Sequence, residues 1–379
     1  MAKKQFLCIL LALTCLLLFS CEDSRAPQDL STVNNISYHE LGIPLAEKYP
    51  DGDMARCAWD MVLYEGKLYL GSGDYDLNLG PAEIWAYDTT SSTWAKSGVL
   101  PDEEVSLFCY LYGELAVPGT DPREDWELGN YYVLHDGVWE THRVIPGGIH
   151  VFDIVEFDGM LFAGLGVLAG EYPISCSLDG GETFESIVMK KDGRPIKTDE
   201  YDTVRTYDLF AYGEKLYATF SYGSGVYELY LYDDTTHVFN YVSDWYDTVK
   251  RAKYKYARIG EKAVFEDTMF FTTGYLYRAC DMTCPEKIEM PSGTLVCDIA
   301  VIDNMLYLLC GKKTEDGQFK TSVLKMSDPQ SNEFEELFNF VYDVPPMSFA
   351  VCGEDFYIGM GKGTAKHEKN GMLLYVNYP

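Results

Sequence analysis

DIAVIDNMLYLLCG, residues 298–311, decides the fold, because its pattern returns six more times along the chain. An acidic residue opens it, four apolar residues follow, a polar pair makes a turn, and a second apolar run ends on Gly. That is two short strands joined by a tight turn. The other copies read DMVLYEGKLYLGSG (60–73), LFCYLYGELAVPG (107–119), DIVEFDGMLFAGLG (153–166), DLFAYGEKLYATFS (208–221), EKAVFEDTMFFTTG (261–274) and SFAVCGEDFYIGMG (348–361).

The equivalent positions Leu68, Leu115, Leu161, Leu216, Met269, Leu306 and Phe356 lie 47, 46, 55, 53, 37 and 50 residues apart. That pitch is one four-stranded propeller blade per repeat. After most hairpins come a third strand and a turn ending on an aromatic residue, as in IWAYDTTSSTW (84–94) and YYVLHDGVW (131–139). No stretch after the first 21 residues holds helical periodicity. The expected fold is all-β: a seven-bladed propeller of four-stranded antiparallel blades over residues 36–379. The last repeat lacks an outer strand, and Ile36–Pro44 can supply it and close the ring. A single array of that length is stable because each blade packs on its neighbours.

Residues 1–20 have Lys3 and Lys4 ahead of an apolar run from Phe6 to Phe19, which reads as a signal peptide. The run is short for a membrane-spanning helix. Leu18-Phe19-Ser20-Cys21 resembles the bacterial lipobox, although Phe19 is bulkier than that motif usually has. The resemblance implies a lipoprotein acylated on Cys21, held to a membrane on the exported side of the cell envelope. Residues 21–35 are polar and read as a flexible tether.

The chain has 30 Lys and Arg against 59 Asp and Glu, a net charge of −29. Loss of the two signal lysines takes it to −31. Such a surface repels nucleic-acid phosphates and anionic lipid headgroups. The partners left are a membrane reached through the lipid, and a glycan or protein ligand for a monomeric propeller. Eight cysteines follow Cys21, and most sit in apolar runs where a thiol packs as a small hydrophobe. Cys280 and Cys284 could form a local disulfide, and no second pair at metal-ligand spacing accompanies them.

Two blade families carry further resemblances. The Tyr87, Asp88 and Trp94 succession resembles a kelch blade without its diglycine, and Ser177-Leu178-Asp179-Gly180-Gly181-Glu182-Thr183-Phe184 is similar to the Asp box (BNR repeat) of sialidases and of many non-catalytic propellers. In this box Ser177, Asp179, Gly181, Thr183 and Phe184 are expected to fix a turn rather than hold a ligand.

Candidate ligand residues lie on the face formed by the inner-strand starts and the loops between second and third strands. Asp60, Asp153, Asp208, Glu261 and Asp298 open five of the seven hairpins. Carboxylates gathered near one axis repel unless they bind a cation, pair with protein cations or take up protons. Arg56, Arg205 and Arg258 lie just upstream of three of them, and His150 precedes Asp153. The bland reading is that these groups bridge blades, and the sharper one is a polar funnel that holds a ligand. Trp126 could stack on a sugar. Asp74, Asp76 and Asn78 alternate as calcium ligands do, although no Glu stands at the twelfth loop position; calcium is the one ion these loops suggest, and no other cofactor motif occurs.

Three functions remain: a non-catalytic receptor for a glycan or protein, a sialidase-like glycoside hydrolase with a three-Arg carboxylate clamp, and a structural scaffold of an envelope assembly. Fold alone cannot choose among them. The Phe/Tyr-Arg-Ile-Pro motif of sialidases is absent, and Arg143-Val144-Ile145-Pro146 only approximates it.

Overall fold

The computed structural model describes residues 36–379, apart from 169, 201–202, 223–227, 246–248, 250–259 and 364. Cys21, the signal peptide, the tether and Arg258 lie outside the described residues. The described chain is an all-β propeller with four-stranded antiparallel blades. All seven repeats form the hairpins that the sequence predicts. Their turns explain the pattern: Glu65-Gly66, Tyr112-Gly113 and Asp158-Gly159 each place two successive residues at positive φ, between 49° and 85°. Such a turn matches the twist of the flanking strands and favours Gly at its second position.

Five four-stranded sheets stand separately, and here the structure corrects the expected seven. The hairpins at His150–Phe157/Met160–Leu168 and Leu209–Tyr212/Lys215–Tyr222 belong to one eleven-stranded sheet. The cause is local. Thr203–Arg205 pairs with Gly166, Val167 and Leu168 on one side and with Ser221 and Tyr222 on the other, and so joins two hairpins that elsewhere stay apart. No sequence pattern announced that strand.

The segment His39–Gly42 pairs antiparallel with Leu373–Asn377, at the outer edge of the sheet that starts at Pro346. Three contacts hold it. The Leu41 carbonyl accepts from Trp94 Nε1 at 3.0 Å, Glu40 Oε1 accepts from Tyr342 OH at 2.7 Å, and Lys369 Nζ lies 2.9 Å from the same oxygen.

Two glycines in the second strands of the hairpins have a packing reason. A Cβ on Gly71 would lie 2.5 Å from the Val105 carbonyl oxygen, and one on Gly164 would lie 2.8 Å from that of Thr206. The link into the next blade therefore runs against bare backbone. Apolar side chains fill the space between blades; Leu115, Phe162, Phe210, Phe270, Leu306 and Phe338 are all fully buried. The eight described cysteines are all free, and Cys280, Cys284 and Cys352 are exposed rather than packed in the core. Among the described residues no helix is long and apolar enough to cross a membrane.

Candidate functional site

Three carboxylates of the axial set repeat one hydrogen bond. Asp60 Oδ2 accepts from the Phe108 amide at 2.6 Å, Asp153 Oδ2 from the Leu209 amide at 2.9 Å, and Asp298 Oδ2 from the Phe349 amide at 2.8 Å. Each time the donor belongs to the following repeat, Leu209 and Phe349 in its inner strand and Phe108 one residue before it. Asp60 and Asp298 also accept, through Oδ1, from the amides of Met61 and Ile299. In two of the repeats a β-bulge aims the side chain: the register shifts between Val151 and Asp153 and between Val296 and Asp298, where Phe152 and Cys297 are the extra residues of the bulged strand.

The rest of the axial set is internally paired. Asp208 Oδ2 accepts from Thr219 Oγ1 at 3.3 Å. Lys262, one residue after Glu261, bonds Asp153 Oδ2. Burial acts to lower the Lys262 pKa, but attraction to Asp153, Asp208 and Glu261 outweighs it and the ammonium ends above its ordinary value. Burial, then repulsion from Glu261 and Asp298, pushes the Asp60 carboxyl well up. A lysine and a carboxyl pushed up by its neighbours thus mark where the repulsion of clustered aspartates is met within the protein. The sequence reading missed Lys262; its adjacency to Glu261 was the available signal.

Arg56 is also committed. Its side chain is 3% exposed, and it donates to the backbone carbonyls of Asn370 (3.0 Å), Tyr49 (3.2 Å) and Glu368. It ties the loop before the first hairpin to the loop before the last strand, which corrects its expected place in a carboxylate clamp. Arg143 is spent likewise on Leu128, Asn130, Glu124 and Asp125. Trp126 beside them is 60% exposed.

The loop with Asp74, Asp76 and Asn78 is a capped turn rather than a converging ligand set. Asp74 Oδ1 accepts from the amides of Asp76 (3.0 Å) and Leu77 (2.8 Å), while Arg123 reaches the Asn78 carbonyl. Lys366 lines the small cavity beside Asp74 and Asp76, and pairs with Asp53. That ammonium opposes a cation there.

Residues 177–184 form the expected turn, between Ile174–Ser177 and Glu185–Ser186. Ser177 Oγ accepts from the Gly181 amide (2.8 Å) and donates to Asp179 Oδ1 (2.7 Å). Thr183 donates to Asp179 through its amide (2.9 Å) and its hydroxyl (2.6 Å). These bonds hold the Asp179 carboxyl down at about 2. Phe184 is buried against Tyr131.

A second group on the funnel face lies away from the axis. Backbone bridges run from Gly73 to Glu104, from Glu104 to Thr120 and from Thr120 to His150, so three successive repeats meet edge to edge there. This ladder brings Glu103, Asp121 and His150 together, with one donor atom of each within 4.8 Å of the others. His150 Nδ1 is 3.4 Å from Asp121 Oδ1. The His150 ring stacks on Phe152 at 5.1 Å and 10°, and Phe152 meets Tyr207 at 4.5 Å. Arg205 lies over both Phe152 and Tyr207 and donates to Tyr207 OH at 2.7 Å. Burial raises the Asp121 carboxyl, while the Arg205 charge and a hydrogen bond with Glu103 hold it back.

His150 and Arg205 were legible as candidates; Glu103 and Asp121 were not. They sit in PDEEV (101–105) and GTDP (119–122), unrepeated loops whose meeting depends on the ladder.

No family model and no curated protein matches this chain. Solved structures do. The chain is similar to the extracellular domain of a hybrid two-component system from B. thetaiotaomicron, with 10% identity and a TM-score of 0.50 over 90% of this chain. It spans only 40% of that chain's length. It is also similar to a chain of the mitotic checkpoint complex, with 9% identity, a TM-score of 0.53, and 94% of this chain and 99% of that one covered. The likeness is one of fold alone.

Proposed function

We propose that this chain is an exported bacterial lipoprotein, anchored through Cys21, whose propeller binds a glycan or protein ligand on the funnel face. The observation that carries the binding reading is the group of Arg205, Tyr207, Phe152 and His150: a cation beside stacked rings at the mouth of three repeats. Rings offer a stacking surface for sugars or apolar side chains, and a guanidinium orients carboxylate or hydroxyl groups. The axial carboxylates support the same choice by being occupied within the protein.

A sialidase-like reaction is the weaker reading, because Arg56 is tied to three backbone carbonyls and cannot join Arg205 in a clamp. In the binding reading the blades are of the kelch and Asp-box kind, and His39–Gly42 closes the ring.

A glycan array and envelope-protein capture with the unmodified protein test the binding claim. Arg205→Ala should weaken the captured ligand by about 1.5–3 kcal/mol, the usual worth of a charged hydrogen bond, at unchanged melting temperature. Equal binding by wild type and variant sinks the site. Labelled fatty acid should enter the wild type and not Cys21→Ala. Deleting residues 22–45 should lower the melting temperature sharply while deleting 22–33 should not; equal effects refute the closing strand.

A further inference from the structure

We propose that Glu103, Asp121 and His150 form a binding site for a divalent transition-metal ion, with zinc as the probe. The site stands on its own residues and does not depend on what the funnel face binds. Two carboxylates and an imidazole are a ligand set for ions such as zinc, and three protein ligands leave a position open. For bonds of about 2.0–2.2 Å, tetrahedral ligand atoms lie about 3.3–3.6 Å apart. His150 Nδ1 and Asp121 Oδ1 are 3.4 Å apart, and the Glu103 oxygen lies within 4.8 Å of both.

The three come from separate parts of the chain, and backbone bonds fix each one. The Glu103 amide donates to the Thr120 carbonyl at 3.0 Å, the Asp121 amide to the Ile149 carbonyl at 3.1 Å, and the Val151 amide to the Gly119 carbonyl at 2.8 Å. Stacking on Phe152 sets the plane of the His150 ring. Little ordering is left for an ion to impose. Glu103 is buried, and in the low dielectric of the interior two adjacent carboxylates call for positive charge between them. Arg205 supplies part of it to Asp121 from one side. Its guanidinium donates to Tyr207 OH at 2.7 Å. The imidazole disfavours calcium and magnesium, which prefer oxygen ligands.

The test uses the full-length protein in detergent micelles, stripped with chelator and titrated with Zn2+ alone by calorimetry. One ion per chain should bind and raise the melting temperature by mass action. His150→Phe keeps the ring on Phe152 and removes the donor, and Asp121→Asn keeps the shape and removes the charge. Loss of an outer partner alone costs 10–100-fold in affinity, so each variant should lose about 100-fold or more. Metal-free melts of both variants should match that of the wild type. If one of them melts early, the other decides. No zinc uptake up to millimolar concentration, or uptake unchanged in the folded variant, overturns the site. A titration with Ca2+ alone is the last arm: calcium raising the melting temperature as much as zinc, and equally in His150→Phe, removes the imidazole and overturns the assignment.

Discussion

The axial carboxylates and the Glu103–Asp121–His150 group share one face, yet they use their charge in opposite ways. Along the axis, Asp60, Asp153 and Asp298 each give an oxygen to a backbone amide of the following repeat, at 2.6, 2.9 and 2.8 Å. Off the axis, the acidic side chains turn toward one another and toward a histidine. A charge that recurs in five of the seven repeats serves, in at least three of them, attachment to the next repeat. A charge that occurs once is free of that duty. In a repeat protein, the departures from the pattern are therefore the better guide to a site.

The sharpest way to break this comparison is Asp298→Ala. It leaves the Ile299 and Phe349 amides without their acceptor at a blade junction. A buried donor left unpaired costs about 1–3 kcal/mol, so the pair should cost about 2–6 kcal/mol, read as a lower denaturation midpoint at unchanged slope. Asp121→Ala should cost far less. Equal losses at the two positions would erase the distinction.

The next test is pH. Asp102, in the link between the first two repeats, is 0% exposed and accepts from Tyr132 OH. Burial pushes its carboxyl from 3.8 up to about 7. A carboxyl raised on folding stabilises the fold fully below its unfolded value, and that stability is lost as pH rises through the folded one. The wild type should therefore lose melting temperature between about pH 4 and pH 7, and Asp102→Asn should flatten that slope. An unchanged slope would place the titration elsewhere, with Asp60 the next group to examine.

Smaller still is Ser177→Ala in the Asp box. One hydroxyl that accepts from the Gly181 amide is worth about 1 kcal/mol. Ligand binding on the funnel face should not change, because this turn lies at the other end of the strands. Weakened binding would move the site to that end.

The sequence by itself determined the hairpins. Alternating apolar strands and a turn rich in Gly and Asp, returning at intervals of 37–55 residues, leave few other arrangements. It also picked out Asp60, Asp153, Asp208 and Asp298 as one recurring position and marked His150 and Arg205 just upstream, although only Asp60 opens its strand; Asp153 and Asp298 lie inside the strands His150–Phe157 and Thr294–Ile302. The tertiary structure decided what those groups touch. Arg56 and Arg205 look alike in the sequence, three to four residues ahead of an aspartate, yet one is held by three carbonyls and the other lies over two aromatic rings. The structure also joined two hairpins through Thr203–Arg205 and brought Glu103 and Asp121 to His150. The physical reason is range. Strand and turn patterns are written in bonds between residues a few positions apart, whereas a side chain's partner is chosen by contacts between blades, across gaps in sequence that no local pattern encodes.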